Sequence, residues 1–135
     1  MGATSMRALL NILGGNKETV EAITTSINKI IRKVYIDKEN NILCFLFEDG
    51  SNLYVFDDGQ DCCEKRFMVS DDDLDYYSQA ILLDFEIKSV PEKEEEYGIE
   101  EIQFLDVKTS LGVFQIANHN IHNGYYGGFS IVAKN

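Results

Sequence analysis

The sequence predicts an α+β fold in which N-terminal helices pack on a largely antiparallel, twisted sheet. In residues 20–34, apolar side chains recur at steps of three and four, which is the helical period. From residue 41 onward, short apolar or alternating runs lie between turn residues, which is typical of strands. A chain of 135 residues with 44% hydrophobic content can bury one core, so we expect a single domain.

Two helices are predicted at the N-terminus. Thr4 and Ser5 can cap the first helix, and Gly14 with Gly15 can end it. Asn16 can cap the second helix, whose apolar stripe comprises Val20, Ile23, Ile27, Ile30, Ile31 and Val34. We therefore divide the chain into a helical N-terminal extension, residues 1–34, and a β-rich domain, residues 35–135. The stripe could pack on the sheet of its own chain or on a second copy, which leaves a homo-oligomer open.

The rest of the chain is predicted to be mostly strand. Residues 41–47 and 53–56 flank Asp49-Gly50, a hairpin signal, and carry apolar residues on both faces. We expect this hairpin to be central and covered on both sides. After it we expect a short helix or turn at residues 71–79 and a half-buried strand at residues 81–87. A second hairpin at residues 99–108 and 112–117 and a last strand at residues 129–133 complete the prediction.

Charge excludes one class of function. The net charge is −11, and residues 41–135 carry six Lys/Arg against nineteen Asp/Glu. Such a surface repels phosphate, so direct binding of nucleic acid is not expected. Eight carboxylates within residues 57–75 could share one face and imitate a phosphate backbone, or simply form a solvated surface. They are Asp57, Asp58, Asp61, Glu64, Asp71, Asp72, Asp73 and Asp75.

The sequence has no apolar run long enough to span a bilayer and no signal-peptide pattern, so we expect a cytoplasmic protein without membrane contact. In that compartment cysteines stay reduced. Cys44 lies in an apolar run and is expected in the core. Cys62 and Cys63 are adjacent, so on an extended chain they point opposite ways and are poorly placed to bond each other.

Residues 119–128 have the composition of a shaped loop. They contain both histidines of the chain together with three glycines and two tyrosines. Glycine weakens strands, and small polar residues favour turns, so we expect a loop between two strands. Loops of this kind often carry binding residues.

Two motifs in residues 41–134 resemble a family of small proteins found mainly in tailed bacteriophages and prophages. One is a Gly-Asp-Cys-Cys-type motif, which stands here as Gln60-Asp61-Cys62-Cys63 with the glycine displaced to Gly59. The other is His-Asn-Gly-Tyr-Tyr-Gly-Gly, which stands intact at residues 122–128. The resemblance implies a phage-type origin and an α+β fold. It implies no catalytic residue and no substrate.

Three chemistries are compatible with these motifs. Cysteine and histidine are zinc ligands, although adjacent cysteines lack the spacing of a zinc knuckle. A cysteine beside a histidine and an aspartate could act as a nucleophile. Alternatively the loop could cradle a ligand, with glycine amides as donors, tyrosine faces for stacking, and side-chain amides from Asn118, Asn120 and Asn123. Each could equally be a structural feature: buried cysteines, turn-forming histidines and a tight loop.

We favour a non-enzymatic binding protein of phage or prophage type, without a catalytic residue or a required cofactor. It could counter host defence in the host cytosol by binding a host protein or a small signal molecule. The alternative is a metal- or cysteine-dependent enzyme. The predicted ligand- or partner-binding residues are Asp61, Cys62, Cys63, His119, His122, Asn123, Gly124, Tyr125 and Tyr126.

Overall fold

Two antiparallel sheets face each other in the computed structural model, which describes residues 17–59, 64–89, 93–95, 98–123 and 127–135. The first sheet has the strand order β1-β2-β3-β9, and the second has β4-β8-β7-β5 with β6 paired to β7. The strands are β1 Ile31–Asp37, β2 Ile42–Phe47, β3 Asn52–Asp57, β4 Lys65–Val69, β5 Leu82–Ser89, β6 Lys93–Glu95, β7 Gly98–Thr109, β8 Gly112–His122 and β9 Ile131–Lys134. One α-helix, α1 Lys17–Ser26, and one 3-10 turn, Leu74–Tyr77, complete the described part.

The predicted α+β fold is wrong, because the described chain is mainly β, with two sheets and one short helix. The error begins at the predicted second helix. The helix ends at Ser26, not at Val34, and Ile31 already pairs with Phe47 of β2. A β-bulge between Ile31 and Lys33 shifts the side-chain alternation, so Ile31 and Val34 both face the core. Because of this bulge, two buried apolar residues of a strand are three positions apart, which is the spacing expected in a helix.

Most of the other predicted elements are confirmed. Strands β2 and β3 form the hairpin around Asp49-Gly50, and Gly50 has the positive φ of 88° that such a turn favours. The second hairpin joins β7 and β8, and the 3-10 turn lies within the predicted residues 71–79. The predicted first helix lies outside the described residues.

Aromatic side chains from both sheets meet in the core. Phe45 on β2 lies with its ring centroid 6.0 Å from that of Phe85 on β5, edge to face. Its centroid is 6.4 Å from that of Phe114 on β8. All three are buried, so one cluster of rings holds the first sheet against the second.

The helix covers an edge of the first sheet. β9 is the last strand of that sheet, and an uncovered edge exposes unpaired backbone groups. Ala22 and Ile23 of α1 are buried in the core, and the backbone N–H of Ala133 donates to the Thr19 hydroxyl over 3.2 Å. In the described residues no helix is long and apolar enough to cross a membrane.

Replacing Thr19 by valine should lower the free energy of unfolding by about 1–2 kcal/mol, because it leaves the buried N–H of Ala133 without an acceptor. Urea denaturation followed by circular dichroism measures this change. Thr24, exposed on the same helix, provides the matched control Thr24→Val, which should be close to neutral. Equal effects of the two substitutions would contradict the edge contact.

Candidate functional site

The inner face of the second sheet changes from apolar to polar along β8. Phe114 and Ile116 contribute to the apolar core. Asn118, Asn120 and His122 continue the same face, because alternate residues of a strand share one side. They are only 3%, 0% and 5% exposed, respectively. Buried polar side chains need partners, so this end of the interior is either a satisfied network or a binding site.

Arg66 on β4 ties the two sheets together at this polar end. Its Nη1 donates to both carboxylate oxygens of Asp57, at the end of β3, over 2.8 Å. Its Nε and Nη2 donate to Glu64 over 2.9–3.2 Å. The side chains of Arg66, Asp57 and Glu64 are 9%, 10% and 0% exposed. One cation is thus enclosed by two carboxylates, which compensate its positive charge.

The protonation of Arg66 follows from this geometry. Burial alone would lower the pKa of the guanidinium, because it penalises the charged form. The hydrogen bonds to Asp57 and Glu64 outweigh that effect, and the pKa of Arg66 is raised above its ordinary value. Arg66 therefore stays charged at neutral pH.

Asp57 also fixes two backbone segments near the sheet ends. Its Oδ1 accepts from the amides of Gly59 and Ser130 over 3.0 and 3.1 Å. Gly59 has to be small, since a Cβ there would lie 2.9 Å from Nη1 of Arg66. Gly59, which precedes Gln60-Asp61-Cys62-Cys63 in the sequence, thus packs directly against the Arg66 side chain.

The network continues from Glu64 into the C-terminal motif. Asn120 Nδ2 donates to Glu64 over 2.8 Å and to the Gly128 carbonyl over 3.1 Å. The Gly128 amide donates to Glu101 over 2.8 Å, and Glu101 is also 2.8 Å from His122 Nε2. Glu64 and Gly128 therefore belong to one buried polar network.

The two histidines do not converge. His122 faces the interior beside Glu101, whereas His119 lies on the opposite face of β8. There the His119 ring stacks on Phe67, with centroids 4.6 Å apart, and Nδ1 lies 3.2 Å from Glu100. A zinc site that uses both histidines is therefore contradicted by their placement on β8. Among the described residues, no group of three potential metal ligands comes together.

The prediction of a loop over residues 119–128 is wrong for its first four residues, which are the end of β8 and pair with β4 and β7. Asn123 is exposed directly after this strand. The remaining predicted site residues lie outside the described residues: Asp61, Cys62, Cys63, Gly124, Tyr125 and Tyr126.

A pocket of about 230 Å³ opens beside Arg66, between the β1–β2 turn and the polar part of β8. Its lining comprises Asn40, Asn41, Asp57, Arg66, Phe67, Met68 and Asn118. Asn41 donates to the Arg66 carbonyl over 3.2 Å and so holds the rim in place. The pocket is polar on one side, where Asp57 and Arg66 lie, and apolar at Met68.

Two buried amides in this region have unused hydrogen-bonding capacity. Asn118 lines the pocket, its side chain makes no hydrogen bond to another described residue, and its amide atoms are open to the pocket. Asn120 Oδ1 is fully enclosed and also lacks a partner in the described part of the chain. The Asn118 amide can therefore bond to water or to a molecule in the pocket, whereas Asn120 Oδ1 cannot be reached from it.

Sequence reasoning missed Arg66, Glu64, Asp57 and Glu101 as parts of a site. Asp57 and Glu64 were assigned to an acidic surface, but both are buried. Asn118 and Asn120 were assigned to a loop and lie in a strand. The available signal was the alternation of Phe114, Ile116, Asn118, Asn120 and His122, which places polar residues on a core-facing side.

A protein-family profile described as "Domain of unknown function (DUF7448)" matches residues 24–132. The chain belongs to the DUF7448 family. No curated protein and no solved structure matches it significantly. The DUF7448 match covers every residue of the polar network and the whole lining of the pocket, so this site is part of the family domain.

Replacing Arg66 by methionine should destabilise this DUF7448 protein by about 3–5 kcal/mol at pH 7, because it leaves two buried carboxylates without a cation. Chemical denaturation gives the free energy of unfolding. The neighbouring Lys65 is exposed, and Lys65→Met should cost far less. A loss under 1 kcal/mol for Arg66→Met would show that the ion pairs do not hold the sheets together.

Proposed function

We propose that this DUF7448 protein is a non-enzymatic binding protein of phage or prophage type that holds a small molecule in the pocket beside Arg66. The observation that carries the proposal is Asn118, which is 3% exposed, lines the pocket and has a carboxamide without a hydrogen bond to any other described residue. Ligand sites are commonly concave, with a few fixed polar groups and some apolar wall. Arg66, Asp57 and Met68 supply these features here.

Binding without catalysis is supported by how the ionisable groups are used. Arg66 is committed to Asp57 and Glu64, and His122 Nε2 lies against Glu101. His119 is stacked on Phe67 on the far side of the strand. A general base or nucleophile has to reach the substrate, whereas these groups contact one another, and among them only Arg66 and Asp57 line the pocket.

The phage-type origin rests on the resemblance of residues 60–63 and 122–128 to phage and prophage proteins. A phage protein that captures a small molecule in the host cytosol could counter a defence that depends on that molecule as a signal. Sequestration requires affinity and abundance but no turnover, which suits a preorganised pocket.

A host protein is the second candidate partner. Asp71, Asp72, Asp73 and Asp75 are exposed and could face a basic groove. However, Asp57 and Glu64 are buried against Arg66 and do not add to this acidic surface. The small-molecule reading therefore has the stronger support.

Native mass spectrometry of protein purified from bacteria should detect a non-covalently bound small molecule that is absent from Asn118→Leu. The leucine removes both hydrogen-bonding functions of the carboxamide and keeps a similar volume. Gln115→Leu on the outer face of β8 is the matched control and should retain the molecule. In plaque assays, Asn118→Leu should lose any protection of phage that wild type and Gln115→Leu provide.

Three results would count against this proposal. One is retention of the same molecule by Asn118→Leu. Another is turnover of a substrate that stops when Cys62, Cys63 or His122 is replaced by alanine. A third is a stoichiometric zinc ion in the purified protein, which would favour the metal-dependent enzyme.

A further inference from the structure

We infer that the pocket beside Arg66 takes a nucleobase, as a free base or nucleoside without phosphate. This inference rests on the proposed function and names the class of its ligand. It follows from three properties of the pocket: the carboxamide of Asn118, which makes no hydrogen bond to another described residue, the compensation of the Arg66 charge by carboxylates, and the size and apolar wall of the cavity.

The carboxamide of Asn118 offers one acceptor and two donors from a fixed, buried position. Its complement is a planar edge that carries an N–H donor beside an acceptor. Nucleobases present such edges, and asparagine pairs with adenine through two hydrogen bonds in this way. A ligand with only acceptors, or only donors, would leave half of the buried amide unpaired.

A further acceptor at the rim favours a ligand that carries N–H groups. Asn41 uses its Nδ2 on the Arg66 carbonyl, which leaves its Oδ1 available beside the pocket. The exocyclic amino group of adenine, cytosine or guanine could donate to this acceptor, directly or through water.

Charge argues against a phosphate in the same pocket. Among the described residues that line the pocket, Arg66 is the only cationic side chain, and its three nitrogens are bonded to Asp57 and Glu64. The positive charge of Arg66 is therefore already compensated by carboxylates and is not available to an anion. Phosphate sites in proteins usually present arginine, lysine or backbone amides that are free to donate, and the described lining offers no free arginine or lysine.

The dimensions fit a base. The cavity of about 230 Å³ exceeds the roughly 150 Å³ of a protein cavity that accepts benzene, so it has room for a heterocycle with substituents. Met68 is 5% exposed and provides a polarisable apolar wall for the face of a ring.

The test is isothermal titration calorimetry of the full chain with adenosine, cytidine, guanosine and uridine and with their 5′-monophosphates. At least one nucleoside should bind with Kd on the order of 10–100 µM, and its monophosphate should bind at least about tenfold more weakly. Asn118→Asp keeps the shape and the acceptor but loses the donor, and should weaken nucleoside binding at least about tenfold. Gln115→Leu should bind as wild type does.

Circular dichroism and thermal melting establish that Asn118→Asp is folded, and Asn118→Leu serves as the second variant. The inference is overturned if no nucleoside binds with Kd below about 1 mM, or if a monophosphate binds as tightly as its nucleoside. If native mass spectrometry then shows an Asn118-dependent molecule of another class, only the ligand class is wrong. If Asn118→Leu changes neither readout, the proposed function fails as well.

Discussion

The enclosure of Arg66 by Asp57 and Glu64 is the constraint on which the polar half of this protein depends. A buried guanidinium is tolerated only when carboxylates compensate its charge, and here each carboxylate comes from a different place in the fold. Asp57 belongs to the first sheet, and Glu64 precedes the first strand of the second sheet. The ion pairs therefore fix how the two sheets meet where the apolar core ends, and through Asn120 they fix the segment at Gly128.

Two glycines that adjoin or belong to the sequence motifs make close contacts with this network. Gly59 permits close contact with Arg66, and Gly127 does the same for Glu101, since a Cβ there would lie 2.6 Å from the Glu101 carboxylate. Both glycines thus lie close to side chains of the polar network, and two members of that network, Asp57 and Arg66, line the pocket. Buried ion pairs are a costly way to gain stability, because apolar residues of similar volume often do as well.

Sequence reasoning located β5, β7, β9 and the first part of β8, because hairpin turns and alternation are local signals, but it predicted neither β4 nor β6. It failed where a non-local feature changed a local pattern. The bulge at Ile31–Lys33 made a strand resemble a helix, and pairing with β4 and β7 kept the glycine- and asparagine-rich end of β8 extended. The burial of Asp57 and Glu64 depends on Arg66, and pairing between distant charges leaves no periodic signal. The predicted site residues are therefore close in sequence to the pocket and the polar network, but most of them differ from the residues that form these two features.

Amide hydrogen exchange tests the central claim most directly. Gly128 and Ser130 are exposed, yet their N–H groups donate to the carboxylates of Glu101 and Asp57. If Arg66 organises this end of the fold, both amides should exchange at least about tenfold more slowly than in an unstructured peptide, and Arg66→Met should abolish the protection of Ser130. Exchange of both amides at the unstructured rate in the wild-type protein would contradict the account.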